Sequence, residues 1–261
     1  MSEKLIKEYK QLGKRKYREK RGKSIIEGYY LLTEALLAGI KVEVVFYTEE
    51  VLSKELYKNL LQQVKDLNID AVEVDSRTFE QMAQTETPQG IGAIINLPNW
   101  NIDFTAHENT FFIVLDGVQD PGNAGTVIRT AAAAGINGVL ILPGTADPFN
   151  PKALRASMGG IFHLPVVQRR GLEFCEEALH AGIKIIAAAP RGNYTHYEID
   201  YSEPSAVLIG NESKGVSKYL KEKASVVASI PLPGKLSSLN ASVAASVFIF
   251  ESLRQRGVTG R

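Results

Sequence analysis

Phe111-Phe112-Ile113-Val114-Leu115-Asp116-Gly117-Val118-Gln119-Asp120-Pro121-Gly122-Asn123-Ala124-Gly125-Thr126-Val127-Ile128-Arg129 is the stretch that decides the fold class. Its first six residues are almost continuously apolar, the pattern of a parallel strand covered on both faces. Asp120-Pro121-Gly122 then turns the chain, and a helix begins near Asn123. A strand that ends in a glycine-bearing loop and a helix N-terminus is the β–α step of a ligand-binding α/β sheet. Glycines let a bulky ligand approach the backbone, and the helix N-terminus favours an anion. Arg129, about one and a half turns into the helix, is placed to grip a phosphate. The loop is not G-x-G-x-x-G, so it gives dinucleotide binding little support.

The same alternation continues outward. Strands are expected at Phe111–Asp116, Gly138–Leu142, Leu164–Val167, Lys184–Ala189, Ala206–Ile209 and Val226–Pro231. Helices are expected at Ala124–Ala134, Pro151–Phe162, Leu172–Ala181, Val216–Lys223 and Ser237–Arg256. Upstream, a helix at Ile25–Gly39, a strand at Val42–Tyr47, a helix at Ser53–Leu67 and a strand at Ala71–Val74 form a smaller unit. A third helix capped by Ser76 and a strand at Ile91–Leu97 complete it. The resulting organisation is a basic arm at 1–23, a small α/β domain at 24–98, a linker at 99–109 and a larger α/β domain at 110–261.

Composition narrows the classes. A chain of 261 residues with 44% hydrophobic and 23% charged residues has the make-up of a soluble globular protein. No apolar run approaches the ~20 residues that span a bilayer, and the lysine-rich N-terminus lacks the apolar segment of a secretory signal. A cytoplasmic location and no membrane partner are expected. Cys175 is the only cysteine and reads as a core residue; the four histidines lack metal-site spacing, so no metal is expected. The net charge of +1 hides ten Lys/Arg against three Glu in residues 1–23. Such a segment suits phosphate contact, or else is a solvated, partly helical tail.

Two further segments follow strands of the larger domain. Leu208-Ile209-Gly210-Asn211-Glu212-Ser213-Lys214-Gly215 delivers a carboxylate into a glycine-bounded loop. Glu212 there suits pairing with Arg129 or binding a ribose hydroxyl, although alone such a segment is more often a helix-capping turn. Ile230-Pro231-Leu232-Pro233-Gly234-Lys235-Leu236-Ser237-Ser238-Leu239-Asn240-Ala241-Ser242-Val243-Ala244 runs from a proline-rich loop into a helix apolar on most sides. Ser238 and Asn240 stand where uncapped N–H groups can hold a ligand, and plain N-capping by Ser237 or Ser238 is the ordinary alternative.

Together, in this order, the three segments resemble the motifs of the SpoU (TrmH-like) branch of the SPOUT methyltransferases. The correspondence is Asn123/Gly125/Arg129, then Gly210/Glu212, then Pro231 through Ser238-Leu239-Asn240-Ala241-Ser242-Val243-Ala244, within roughly 110–256. Ile26 to Leu36 further resembles the ribosomal-protein-like substrate-binding domain that many members carry. The resemblance implies a C-terminal domain with a deep trefoil knot, a homodimer formed through it, and S-adenosylmethionine (AdoMet) as methyl donor. It implies transfer to a ribose 2′-OH of structured RNA, with large-subunit 23S rRNA expected and tRNA the alternative. Carried over, Gly210, Ile230 and Leu239, with Leu232 and Pro233, would hold AdoMet. Arg129, Asn123, Glu212, Ser238 and Asn240 would be the catalytic group, Asn123 and Glu212 orienting Arg129 and the ribose. A guanidinium stays protonated, so Arg129 is expected to stabilise phosphate and oxyanion charge rather than act as base. A non-catalytic ribosome assembly factor is the rival outside the enzymes.

Overall fold

A computed structural model describes residues 2–105, 107 and 109–257. The N-terminal part runs α1 (Ser2–Leu12), α2 (Arg15–Arg21), β1 (Lys23–Glu27), α3 (Tyr29–Leu37), β2 (Val42–Tyr47), α4 (Glu55–Asp66), β3 (Asp70–Glu73), α5 (Ser76–Met82) and β4 (Ile91–Asn96). The C-terminal part runs β5 (Phe111–Asp116), α6 (Pro121–Ala134), β6 (Gly138–Ile141), α7 (Pro151–Ser157), β7 (Val166–Gln168), α8 (Gly171–His180) and β8 (Lys184–Ala188). It closes with β9 (Tyr194–Thr195), β10 (Ser205–Gly210), α9 (Lys218–Lys223), β11 (Val226–Ser229) and α10 (Ala241–Gln255).

The larger sheet has the order β7-β6-β5-β10-β8-β11-β9, and every pairing in it is parallel. Alternation along β5 explains why both faces are covered. Phe111, Ile113 and Leu115 enter one apolar cluster with α6 and α10, while Phe112 and Val114 enter another with Phe174 and Ala178 of α8. Because all strands run the same way, their C-terminal ends, and the loops leaving them, share one edge.

The smaller sheet, β1-β4-β2-β3, is mixed. One face packs with α3 and α4; the other is covered by Tyr9 and Leu12 of α1 and Phe79 and Met82 of α5. This corrects the arm reading of residues 1–23. The charge count masked an apolar stripe, Leu5, Ile6, Tyr9 and Leu12, whose helical spacing docks α1 onto the sheet. The expected helix over Ile25–Gly39 also divides. Ile25 and Ile26 are buried on opposite faces of the sheet as part of β1, and Gly28, at φ 95°, turns the chain into α3.

The two parts are docked. Arg18, 2% exposed, donates to Asp147 Oδ2 at 2.5 and 3.0 Å and to the carbonyls of Leu12 and Gly13. Ser24 Oγ donates to the Phe149 carbonyl, and His163 Nε2 lies 2.7 Å from Glu34 Oε2. In the expected linker, Ile102 is buried and Trp100 and Phe104 pack on the larger domain, so its described residues lie along the sheet. The helix expected over Pro151–Phe162 stops at Ser157, because Met158 adopts φ 48° and Gly159 φ 81°. No described helix is long and apolar enough to cross a membrane.

Candidate active site

The first motif begins where β5 ends. Asp120 caps α6 by accepting from the Asn123 N–H at 2.9 Å, Pro121 occupies the first turn, and Lys152 pairs with Asp120 at 2.6 Å. The second motif leaves β10 as a tight turn closed by paired backbone bonds between Asn211 and Gly215. A side chain at Gly210 would lie 2.0 Å from the Gly215 carbonyl carbon, so only glycine permits the chain to fold back there. Asn211 accepts from the N–H groups of Ser213 and Lys214 and donates to the Gly117 carbonyl, tying this turn to the first loop.

Glu212 reaches back across that tie. Its carboxylate accepts from the N–H groups of Gln119 (3.1 Å) and Asp120 (3.3 Å) and from Asn123 Nδ2 (3.0 Å). Burial pushes its carboxyl up, but the bonds from Asn123 and from the two backbone amides outweigh that and hold it below its ordinary value. The third motif joins from the other side. Asn240 caps α10 by accepting from the Ser242 N–H and Oγ, and its Nδ2 donates to Asn123 Oδ1 at 2.9 Å. Asn240, Asn123 and Glu212 are therefore one hydrogen-bonded chain joining three loops that are distant in sequence. The helix expected from Ser237 starts at Ala241 because Asn240, not a serine, is its cap.

Beside this chain lies a cavity of about 440 Å³, within the ~300–1,000 Å³ of small-molecule sites. Gly210, Glu212, Ile230, Leu232, Ser238 and Leu239 line it, with Ala188 to Arg191 and Phe248; Pro233 is not among the lining residues. Arg129 is not brought to the cluster. It follows Asn123 by six residues on one helix, about 9 Å along and about 120° around the axis, and is exposed. Among the described residues it makes no hydrogen bond or ion pair, so the expected orienting of Arg129 by Asn123 and Glu212 does not occur within the chain. Gly125 is also reassigned. A side chain there would meet the Ala153 carbonyl at 2.3 Å, so this glycine lets α6 and α7 touch rather than admitting a ligand.

Sequence reasoning missed Asn211, although it stands between two singled-out residues. It also missed the Pro190-Arg191-Gly192 turn after β8, whose signal was its place at the end of a strand. No group of three or more His, Cys, Asp or Glu among the described residues is arranged to hold a metal.

Three loops at one sheet edge, joined through Asn240, Asn123 and Glu212, coincide with a family match: residues 110–250 fit the SpoU rRNA Methylase family. The chain belongs to that family. Residues 3–93 fit the MRM3-like substrate binding domain, which places α1 and α2 inside that domain. As a SpoU methylase the protein is an AdoMet-dependent rRNA methyltransferase, and AdoMet is its methyl donor. It is 36% identical to a Bacillus subtilis (strain 168) protein named 23S rRNA (guanosine(2553)-2′-O)-methyltransferase RlmP, over 94% of each chain. It is 30% identical to the 23S rRNA (uridine(2479)-2′-O)-methyltransferase of Streptomyces viridochromogenes, covering 96% of this chain and 88% of that one. The crystal structure of the SpoU methyltransferase AviRb from Streptomyces viridochromogenes with AdoMet superposes with a TM-score of 0.88 at 27% identity, covering 98% and 99% of the two chains. The SpoU cavity suits that donor: apolar walls from Ile209, Ile230, Leu232, Leu239 and Phe248 would pack against an aromatic base, and the loop backbones would supply polar groups.

Proposed function

We propose that the protein methylates a ribose 2′-OH of 23S rRNA, with the cavity between the β10 and β11 loops holding AdoMet and the adjoining Asn240–Asn123–Glu212 chain presenting the RNA. The similarity along nearly the whole chain to two proteins named as 23S rRNA 2′-O-methyltransferases supports the substrate. The hydrogen-bonded chain supports this choice of site.

AdoMet, when bound, supplies an electrophilic methyl group. The protein's part is to hold the hydroxyl in line and stabilise the charge it develops. Ser238, on the cavity wall, positions the hydroxyl. Glu212, saturated by three donors, stays an ionised acceptor that rigidifies the loop, a positioning residue and not the base. Arg129 remains a cation and grips the phosphate beside the target ribose.

Its position favours service across a homodimer. Thr126, Arg129 and Ala133 are exposed along one strip of α6. Beside it, α10 exposes Val243 (48%) and Phe250 (56%), and the Thr130–Ser246 hydroxyl contact lies between the two strips. An apolar helix stripe flanking an arginine with no partner among the described residues fits a second copy of the chain, with Arg129 entering the partner's site. Co-expression tests this. Mixed dimers of Arg129→Ala with Glu212→Ala regain one complete site, and about a quarter to a half of wild-type activity, only if Arg129 acts in trans; no recovery places it in cis.

Tritiated AdoMet offered with 23S rRNA fragments and with tRNA decides the substrate. Label in 23S rRNA, mapped to one 2′-O-methyl nucleotide, is expected. Label in tRNA alone overturns the choice of RNA, and absence of AdoMet binding by calorimetry overturns the enzyme.

A further inference from the structure

A second cavity, about 400 Å³, opens on the same sheet edge at the junction of the two domains. Leu142, Gly144 and Thr145 after β6, and Arg169 and Arg170 after β7, form its walls, and Arg15 of α2 closes it from the N-terminal domain. It is tied to the active site through the first loop: Thr145 Oγ accepts from the Gly117 N–H at 2.9 Å and donates to the Leu115 carbonyl at 2.8 Å, and the Gly117 carbonyl accepts from Asn211 beside Glu212. The AdoMet cavity is centred on the end of β8 and this one between the ends of β6 and β7, three to four strands away, so their centres lie roughly 15–20 Å apart at about 4.8 Å per strand.

The cavity lining carries three arginines against two carboxylates. Of its two carboxylates, Asp147 is already matched by the buried Arg18. Arg18 stands one helical turn after Arg15, so the same clamp that docks the domains holds Arg15 over the opening. The remaining pairings are surface contacts: Arg15 with Glu19, Arg169 with Glu177 at 3.5 Å, and Arg170 with Glu173 at 3.8 Å. Exposed pairs of this kind contribute little, whereas a guanidinium binds a phosphate through two parallel charge-assisted bonds. Three guanidinium groups from two domains converge on one polar hollow beside the loop that presents the ribose.

We propose that this junction cavity is a second RNA subsite, in which Arg15, Arg169 and Arg170 bind the phosphodiester backbone of the substrate a few nucleotides from the methylated ribose. It rests on the RNA methyltransferase reading and adds to it a means of fixing the register of the strand across both domains, since phosphate contacts position without reading sequence. Arg15 and Arg170 are exposed and Arg169 is partly buried at 24% exposure; all three lie on the cavity wall rather than in the core, so the fold is expected to survive their removal.

The test compares the wild type with R15A/R169A/R170A and with Glu177→Gln, using the full chain, an rRNA fragment that the wild type methylates, and AdoMet. The triple variant is expected to bind AdoMet within twofold of wild type and RNA at least tenfold more weakly. Its plot of log affinity against log salt should be shallower by about 1–2. Glu177→Gln, which frees Arg169 from its competitor, should tighten RNA binding. Unchanged RNA affinity and salt slope in the triple variant, beside an active wild type, overturn the subsite alone. A wild type that binds AdoMet and methylates no RNA overturns the substrate reading and the subsite with it.

Discussion

Glu212 shows how one carboxylate on a cavity wall can tie separate loops together. With Gln119, Asp120 and Asn123 all donating to it, the charged form is favoured in the folded protein and its proton affinity is depressed. A depressed folded pKa contributes stability above the unfolded value, and that contribution is lost as pH falls through the folded one. Thermal unfolding followed from neutral pH into the acid range should show wild type losing more stability than Glu212→Gln, the two curves converging at low pH. Parallel curves would mean that the carboxylate's charge holds nothing in place. Glu212, Asn123 and Asn240 were legible in the sequence because each lies in a short segment with its own turn signals. Their mutual bonds were not, since Asn123 and Asn240 stand 117 residues apart. The pairing of Arg129 with Asn123 and Glu212 was not legible for the opposite reason: nearness along the chain suggested nearness in space, and the helical twist sets Arg129 on another face of α6.

Among the elements, the contact between α6 and α7 is set by Gly125. With the Ala153 carbonyl at 2.3 Å and Ala156 Cβ at 2.7 Å from where a side chain would begin, no rotamer can relieve the clash, and the obstacle is backbone. Gly125→Ala should destabilise the protein by about 1–3 kcal/mol, the usual result of overpacking, read from urea unfolding. Because α6 also carries Asn123, AdoMet affinity should fall in the same variant. An unchanged midpoint would show that the two helices can part at no expense. Strand β5 and strand β2 were legible to the residue, both being short runs of β-branched, leucine and aromatic residues, with Glu43 the one charge inside β2 and Asp116 closing β5. Helices α1 and α2 were not, because lysines on the outer face dominate the local composition and conceal the four apolar residues that dock α1.

At the scale of the whole molecule, the Arg18–Asp147 pair holds the substrate-binding domain against the catalytic one. Removing one partner of a buried ion pair strands the other, and Arg18 also satisfies two carbonyls. Arg18→Ala should therefore cost about 3–5 kcal/mol in chemical unfolding. A loss under 1 kcal/mol would mean that the domains are held together without it. Local composition and periodicity were enough to declare an α/β sheet with ligand loops at its strand ends, because such loops advertise themselves through glycine, proline and capping residues within a few positions. Which of those loops meet, which glycine serves packing and which the turn, where Arg129 points, and that a basic segment is half buried were decided only on folding. Each depends on atoms brought together from remote parts of the chain, and burial, helical phase and hydrogen-bond partners are properties of that assembled neighbourhood.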